Sequence, residues 1–130
     1  MPATYLDSSA IVKLAVEEPE SGPLRRYLRK KRPLISSALA RTEVLRALLF
    51  EGDEGVTRGR AVLSRVDLVR VNDRILNTAG TLMPESLRSL DAIHLATAQQ
   101  LGRDLATVVT YDERMADAAN RVGLKVTSPR

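Results

Sequence analysis

The chain has 130 residues, a net charge of +4 from 20 Lys and Arg against 16 Asp and Glu, and no cysteine. Its length suits one domain spanning 1–130 with a core of its own. The missing cysteine excludes disulfides, thiolate zinc sites and cysteine nucleophiles. No stretch approaches the roughly 18 apolar residues of a membrane span, and Met1-Pro2-Ala3-Thr4-Tyr5-Leu6-Asp7 has no basic segment followed by an apolar one. A soluble, cytoplasmic protein with no membrane partner is expected. The positive balance favours a polyanionic partner. With one Phe, three Tyr and no Trp, a base-stacking platform of the OB or RRM kind is disfavoured.

In chain order, Ala3 to Leu6 reads as a strand that stops at Asp7-Ser8-Ser9 and turns into a helix carrying Ile11, Val12, Leu14 and Ala15. Glu17 to Pro23 breaks that helix, and a second, very basic one is expected over Leu24 to Lys31. Pro33 to Ser36 is the next strand. Leu39, Val44, Leu45, Leu48 and Leu49 mark a long helix from Ala38 to about Glu51, ended by Gly52-Asp53-Glu54-Gly55. A helix over Thr57 to Val66, a strand over Leu68 to Val71 and a helix from Asp73 to Met83 follow. The next helix, Ser89 to Leu101, is apolar around most of its circumference. Leu105 to Thr110 is the clearest strand, Tyr111-Asp112-Glu113 opens a last helix through Val122, and Lys125 to Thr127 suits an edge strand. Alternating strands and helices define an α/β protein, a three-layer α/β/α sandwich with a mainly parallel sheet.

Four acids stand out against that framework. Asp91 lies in an apolar helix, where a buried carboxylate needs a cation or a cluster of donors beside it. The simpler account makes Ser89 the N-cap and Asp91 a complement to the helix dipole. Asp7 and Asp112 sit where strands end, the place where sites form in open α/β sheets, although each also suits a helix cap. Glu43 lies within a helix beside Val44 and Leu45, with a surface pair to Arg46 as its plain alternative. Four carboxylates on four elements gathered at one sheet edge repel one another unless a cation sits among them. Oxygen-only ligation selects Mg²⁺ or Mn²⁺, because a single histidine and no cysteine cannot build a zinc site.

Leu6-Asp7-Ser8-Ser9-Ala10, the run from Ser36 to Leu48 containing Glu43, Leu90-Asp91-Ala92-Ile93-His94-Leu95-Ala96-Thr97-Ala98 and Val109-Thr110-Tyr111-Asp112-Glu113-Arg114 resemble the four motifs of PIN-domain ribonucleases. Within that group they resemble the VapC toxins of type II toxin-antitoxin pairs, over nearly the whole chain and in order. The resemblance implies that Asp7, Glu43, Asp91 and Asp112 bind the metal and form the catalytic centre, with Ser8, Ser9 and Thr110 as polar neighbours. It implies an Mg²⁺- or Mn²⁺-dependent endoribonuclease acting on an RNA substrate, a homodimer, and inhibition by a VapB antitoxin. Glu113 is a second acid beside Asp112, and the motif match selects Asp112. Met115 departs from the aromatic or Leu frequent at that position, a difference of packing rather than chemistry.

His94 is expected to pack on the helix face between Leu90 and Ala98, with a general-base role as the sharper alternative. Arg25, Arg26, Arg29 and Lys30, on the basic helix, are candidate contacts for RNA phosphates or else a solvated face. Two other functions use the same acids: a catalytically silent PIN-fold binding module and a phosphoaspartyl-type phosphatase. The second requires an acid two residues after the first, where this chain has Ser9. A receiver-type phosphoacceptor module requires paired acids after the first strand, which Asp7-Ser8 does not supply.

Overall fold

The computed structural model describes residues 2–130. Five short strands, β1 (Ala3–Leu6), β2 (Leu34–Ser37), β3 (Asp67–Val69), β4 (Leu105–Val109) and β5 (Val126–Thr127), form one sheet in the order β3-β2-β1-β4-β5. Every neighbouring pair is parallel. β1 is central, with Tyr5 opposite both Ile35 and Val108. Parallel strands need crossover connections, and seven helices supply them: α1 (Ser8–Ala15), α2 (Ser21–Leu28), α3 (Ala40–Leu48), α4 (Gly52–Leu63), α5 (Asp73–Gly80), α6 (Ser89–Gln100) and α7 (Glu113–Arg121).

Successive strand residues point to opposite faces, so each strand feeds two cores. Leu6, Leu34 and Val109 pack under α1 to α4 with Ile11, Leu24, Val44, Leu48 and Leu63. Their neighbours Tyr5, Ile35 and Val108 pack on the other face with Leu95 and Ala98 of α6 and Met115, Ala118 and Ala119 of α7. α5 lies against α6. The expected three-layer sandwich is therefore present, and no helix among the described residues is long and apolar enough to cross a membrane.

The element ends differ from the sequence-based expectation in two informative places. Gly52-Asp53-Glu54-Gly55 does not end a helix; it opens α4, after a 3-10 turn at Leu49–Glu51. Gly52 takes φ +71°, a conformation open to glycine at little cost, and reverses the chain. A Cβ on Gly55 would stand 2.2 Å from Glu51 Cβ, and one on Gly59 2.5 Å from Leu48 Cδ1, so these glycines let α4 pass close over α3. In the second place, α2 begins at Ser21 and not Leu24, because Gly22-Pro23 falls in its first turn, where a proline loses no helical hydrogen bond. Buried Ser21 fastens this corner by donating to Lys13 O at 2.6 Å.

Candidate active site

The strand order reverses between β1 and β4, and the crevice beyond their carboxyl ends is where α/β sheets place ligands. All four acids sit at helix starts. Asp7 follows β1 and caps α1, accepting from Ala10 N at 3.1 Å. Asp112, just after β4, caps α7 through Arg114 N and Met115 N at 2.9 and 3.3 Å. Glu43 and Asp91 occupy the first turns of α3 and α6. Each helix start presents unpaired N–H groups and the positive end of a dipole, which favours an anion. Two of the four, Asp7 and Asp112, are thus helix caps, while Glu43 and Asp91 lie one turn inside their helices without capping them.

Hydroxyls orient these carboxylates. Ser9 donates to Asp7 Oδ1 at 2.6 Å and accepts from Tyr111 N at 3.0 Å, while Thr110 donates to Asp7 Oδ2 and accepts from Asp112 N at 3.0 Å. Burial pushes the Asp7 carboxyl above the usual carboxylate range, against those donors. Burial also acts to raise Glu43, but there Ser8 Oγ and His94 Nε2, each 2.6 Å from Oε1, outweigh it and hold the carboxyl low. His94 is buried and its Nδ1 lies 2.7 Å from Tyr5 Oη. Because a carboxylate only accepts, Nε2 carries a proton toward Glu43, and in the neutral ring Nδ1 then accepts from Tyr5. Tyr5 is buried, which pushes its phenol strongly up and keeps that proton in place.

Asp91 has the cation its apolar helix calls for: Arg88 Nε donates to Asp91 Oδ2 at 3.0 Å. A terminal nitrogen of the same guanidinium donates to Asp112 Oδ2 at 2.8 Å, so Arg88 bridges two of the four acids. The residue before α6 is Arg88, and Ser89 is its first helical residue rather than its cap. Nothing in the sequence marks Arg88 as part of a site, although its i, i+3 spacing from Asp91 is legible there. His94 also differs from expectation. Leu90 is exposed, and the ring is bonded between Tyr5 and Glu43 instead of merely packed between Leu90 and Ala98.

Ser8, Ser9 and Thr110, the polar neighbours that the resemblance implies, all bond to acids. The basic run behaves otherwise. Arg25 pairs with Glu17 through two 3.0 Å bonds. Arg29 and Arg32 line a cleft with Leu34 and Val66, at the amino ends of β2 and β3 and so at the sheet edge opposite the acids. Besides Arg88, Lys13 is a cation on the acid side: it lines an open cleft of about 410 Å³ with Ser8, Ser9, Glu43 and Tyr111 and pairs with Glu20 at 2.9 Å. As the side chains stand, among the described residues no group of three or more His, Asp or Glu is placed to hold a metal ion jointly. In kind the four carboxylates suit a hard cation such as Mg²⁺ or Mn²⁺.

The parallel sheet with acids at its reversal point defines an α/β protein with a carboxylate-rich crevice. The PIN domain family profile matches residues 4–121. Ribonuclease VapC46 of Mycobacterium tuberculosis (strain ATCC 25618 / H37Rv) is 60% identical over 129 residues, covering 99% of each chain. Among solved structures, a toxin-antitoxin complex from Klebsiella pneumoniae superimposes with a TM-score of 0.75 at 24% identity, covering 98% of both chains. Mycobacterium tuberculosis VapC20, described as a sarcin-ricin loop cleaving toxin, gives a TM-score of 0.76 at 16% identity over 98% of this chain and 100% of its own. The chain belongs to the PIN-domain family, in its VapC group.

Proposed function

We propose that this protein is an Mg²⁺- or Mn²⁺-dependent endoribonuclease toxin that cleaves RNA phosphodiesters and is silenced by a VapB-type antitoxin. The observation that carries this reading is the way the acids at the helix starts are tied together: Thr110 links Asp7 to Asp112, and Arg88 links Asp112 to Asp91. The likeness to a named VapC ribonuclease over nearly the full length supports the substrate class. A divalent ion held by Asp7, Glu43, Asp91 and Asp112 would supply Lewis acidity toward the phosphodiester. Asp7 and Asp112 are fixed in place by their capping bonds. Glu43 stays ionised, and because His94 and Ser8 both occupy Oε1, Oε2 is the oxygen left free to face the ion and its water. A phosphoaspartyl reaction is disfavoured, because the acid it requires two residues after Asp7 is Ser9, whose hydroxyl donates to Asp7 Oδ1.

The test is cleavage of RNA by the purified chain with added Mg²⁺ or Mn²⁺, set against excess EDTA. Asp7→Asn, Glu43→Gln, Asp91→Asn and Asp112→Asn are each expected to lower the rate by about two orders of magnitude or more. Cleavage that persists in EDTA overturns the reading, and a chain that takes up metal yet cuts no RNA is a silent binding module. The partner is tested by co-expression with a short neighbouring reading frame and recovery of a stable complex. We further propose a homodimer. The cleft lined by Leu76, Met83 and Ile93, with exposed Leu90 one turn earlier in α6, supplies the apolar surface for it. Leu76→Asp with Met83→Asp is expected to halve the mass in solution.

A further inference from the structure

Arg88 is the cation that stands among the four acids, and how it is held suggests what it does. It immediately precedes α6 on extended backbone, and its side chain reaches across to an acid 24 positions later in the chain as well as to one three positions on. Both of its bonds end on the oxygens Asp91 Oδ2 and Asp112 Oδ2. Its charge also reaches Glu43, where it helps hold the carboxyl low. These are the groups on which a metal reading depends. A divalent ion shared by Asp91 and Asp112 competes with the guanidinium for the same two oxygens and is repelled by its charge.

A guanidinium keeps its proton at any working pH, so Arg88 cannot vacate the acids by neutralising. It can only swing away. With a side chain 60% exposed it has solvent to swing into, and exposed ion pairs are weak enough to exchange. Once free it remains tethered at the start of α6, at the rim of the crevice, with a planar fork of donors that suits a phosphate.

We propose that Arg88 is an exchange residue: it bridges Asp91 and Asp112 in the metal-free protein, yields both to the divalent ion, and then binds a phosphate of the RNA substrate. The proposal rests on the metal-dependent phosphodiesterase reading above.

The experiment titrates Mn²⁺ into the RNA-free protein, by calorimetry or by the spin resonance of unbound Mn²⁺, for the unaltered chain, Arg88→Gln and Arg88→Lys. Steady-state cleavage of RNA by the same three proteins follows. Removing two exposed charge pairs is expected to tighten Mn²⁺ binding by roughly three- to thirtyfold in Arg88→Gln. Arg88→Lys, which keeps the charge without the fork, falls between the two. KM for RNA is expected to rise in Arg88→Gln with kcat little changed. An Mn²⁺ affinity that is unchanged or weaker in Arg88→Gln overturns the proposal, as does an unchanged KM. Failure of all three proteins to bind Mn²⁺ overturns instead the metal-dependent reading on which it rests.

Discussion

Both oxygens of Asp7 accept hydrogen bonds, yet its burial still pushes the carboxyl above its ordinary range. A raised folded pKa means that ionisation costs stability above that pKa, and the cost vanishes below the unfolded value near 3.8. In EDTA, Asp7→Asn is therefore expected to melt higher than the unaltered protein at pH 7. The amide keeps an oxygen for Ala10 N, and the gap closes as the pH approaches 4. Thermal melts across that range check it, and a lower melting temperature for the variant at pH 7 would count against it. Glu43 works in the opposite sense: its lowered pKa contributes stability at neutral pH that is lost as the pH falls through that pKa. The Tyr5 hydroxyl is a second residue-scale test. Tyr5→Phe leaves buried His94 Nδ1 without its donor and is expected to cost about 1–3 kcal/mol in urea unfolding. Asp7 and Asp112 were legible in the sequence as acids at strand ends, whereas Glu43, read there as lying within a helix, stands in the first turn of α3 because that helix begins only at Ala40 and ends at Leu48. The wiring of His94 was not, since its partners Tyr5 and Glu43 lie 89 and 51 positions away. Arg88 was half legible, its tie to Asp91 being local and its tie to Asp112 set by tertiary structure.

Among the elements, the α3–α4 corner shows why local punctuation misleads. Glycines close together read as a stop signal, but here they serve the close approach of two helices, which no window of sequence displays. The two buried glycines differ in what they face. At Gly55 a Cβ meets Glu51 Cβ at 2.2 Å and Leu48 O at 3.2 Å, so the backbone must move. At Gly59 the obstacle is Leu48 Cδ1, the end of a flexible side chain that is able to turn aside. Gly55→Ala is accordingly expected to destabilise by more than Gly59→Ala, the latter costing about 1–3 kcal/mol as an overpacked core position. Equal losses in chemical denaturation would show that the corner relaxes as a whole. The strands posed no such difficulty: their alternation between two cores made them legible to within a residue or two.

For the whole molecule, charge and topology separate two surfaces. Arg29 and Arg32 face away from the acid edge while Lys13 lines the cleft beside it, so the proposed cleavage of a short oligonucleotide at the acids does not call on the basic run. Replacing Arg25, Arg26, Arg29 and Lys30 by Gln is expected to leave cleavage of a short oligonucleotide intact. The same change is expected to weaken binding of a long RNA, flattening its salt dependence by roughly 0.7 in the log-log slope for each phosphate the variant no longer neutralises. A long RNA bound with an unchanged slope would make that run a solvated face. The order β3-β2-β1-β4-β5 also has a consequence in time. β1 sits at the centre of the sheet, and Thr110, which bonds to Asp7 at its end, lies 103 positions after Asp7. At synthesis rates of roughly 5–20 residues per second, about 5 to 20 s pass between the two leaving the ribosome's catalytic centre. A growing chain that has emerged only as far as β3 lacks Asp91 and Asp112 and one flank of its central strand. A nascent chain thus holds Asp7 and Glu43 for a time without the two acids that follow β3, and Asp7 waits for Thr110 to accept its second hydrogen bond.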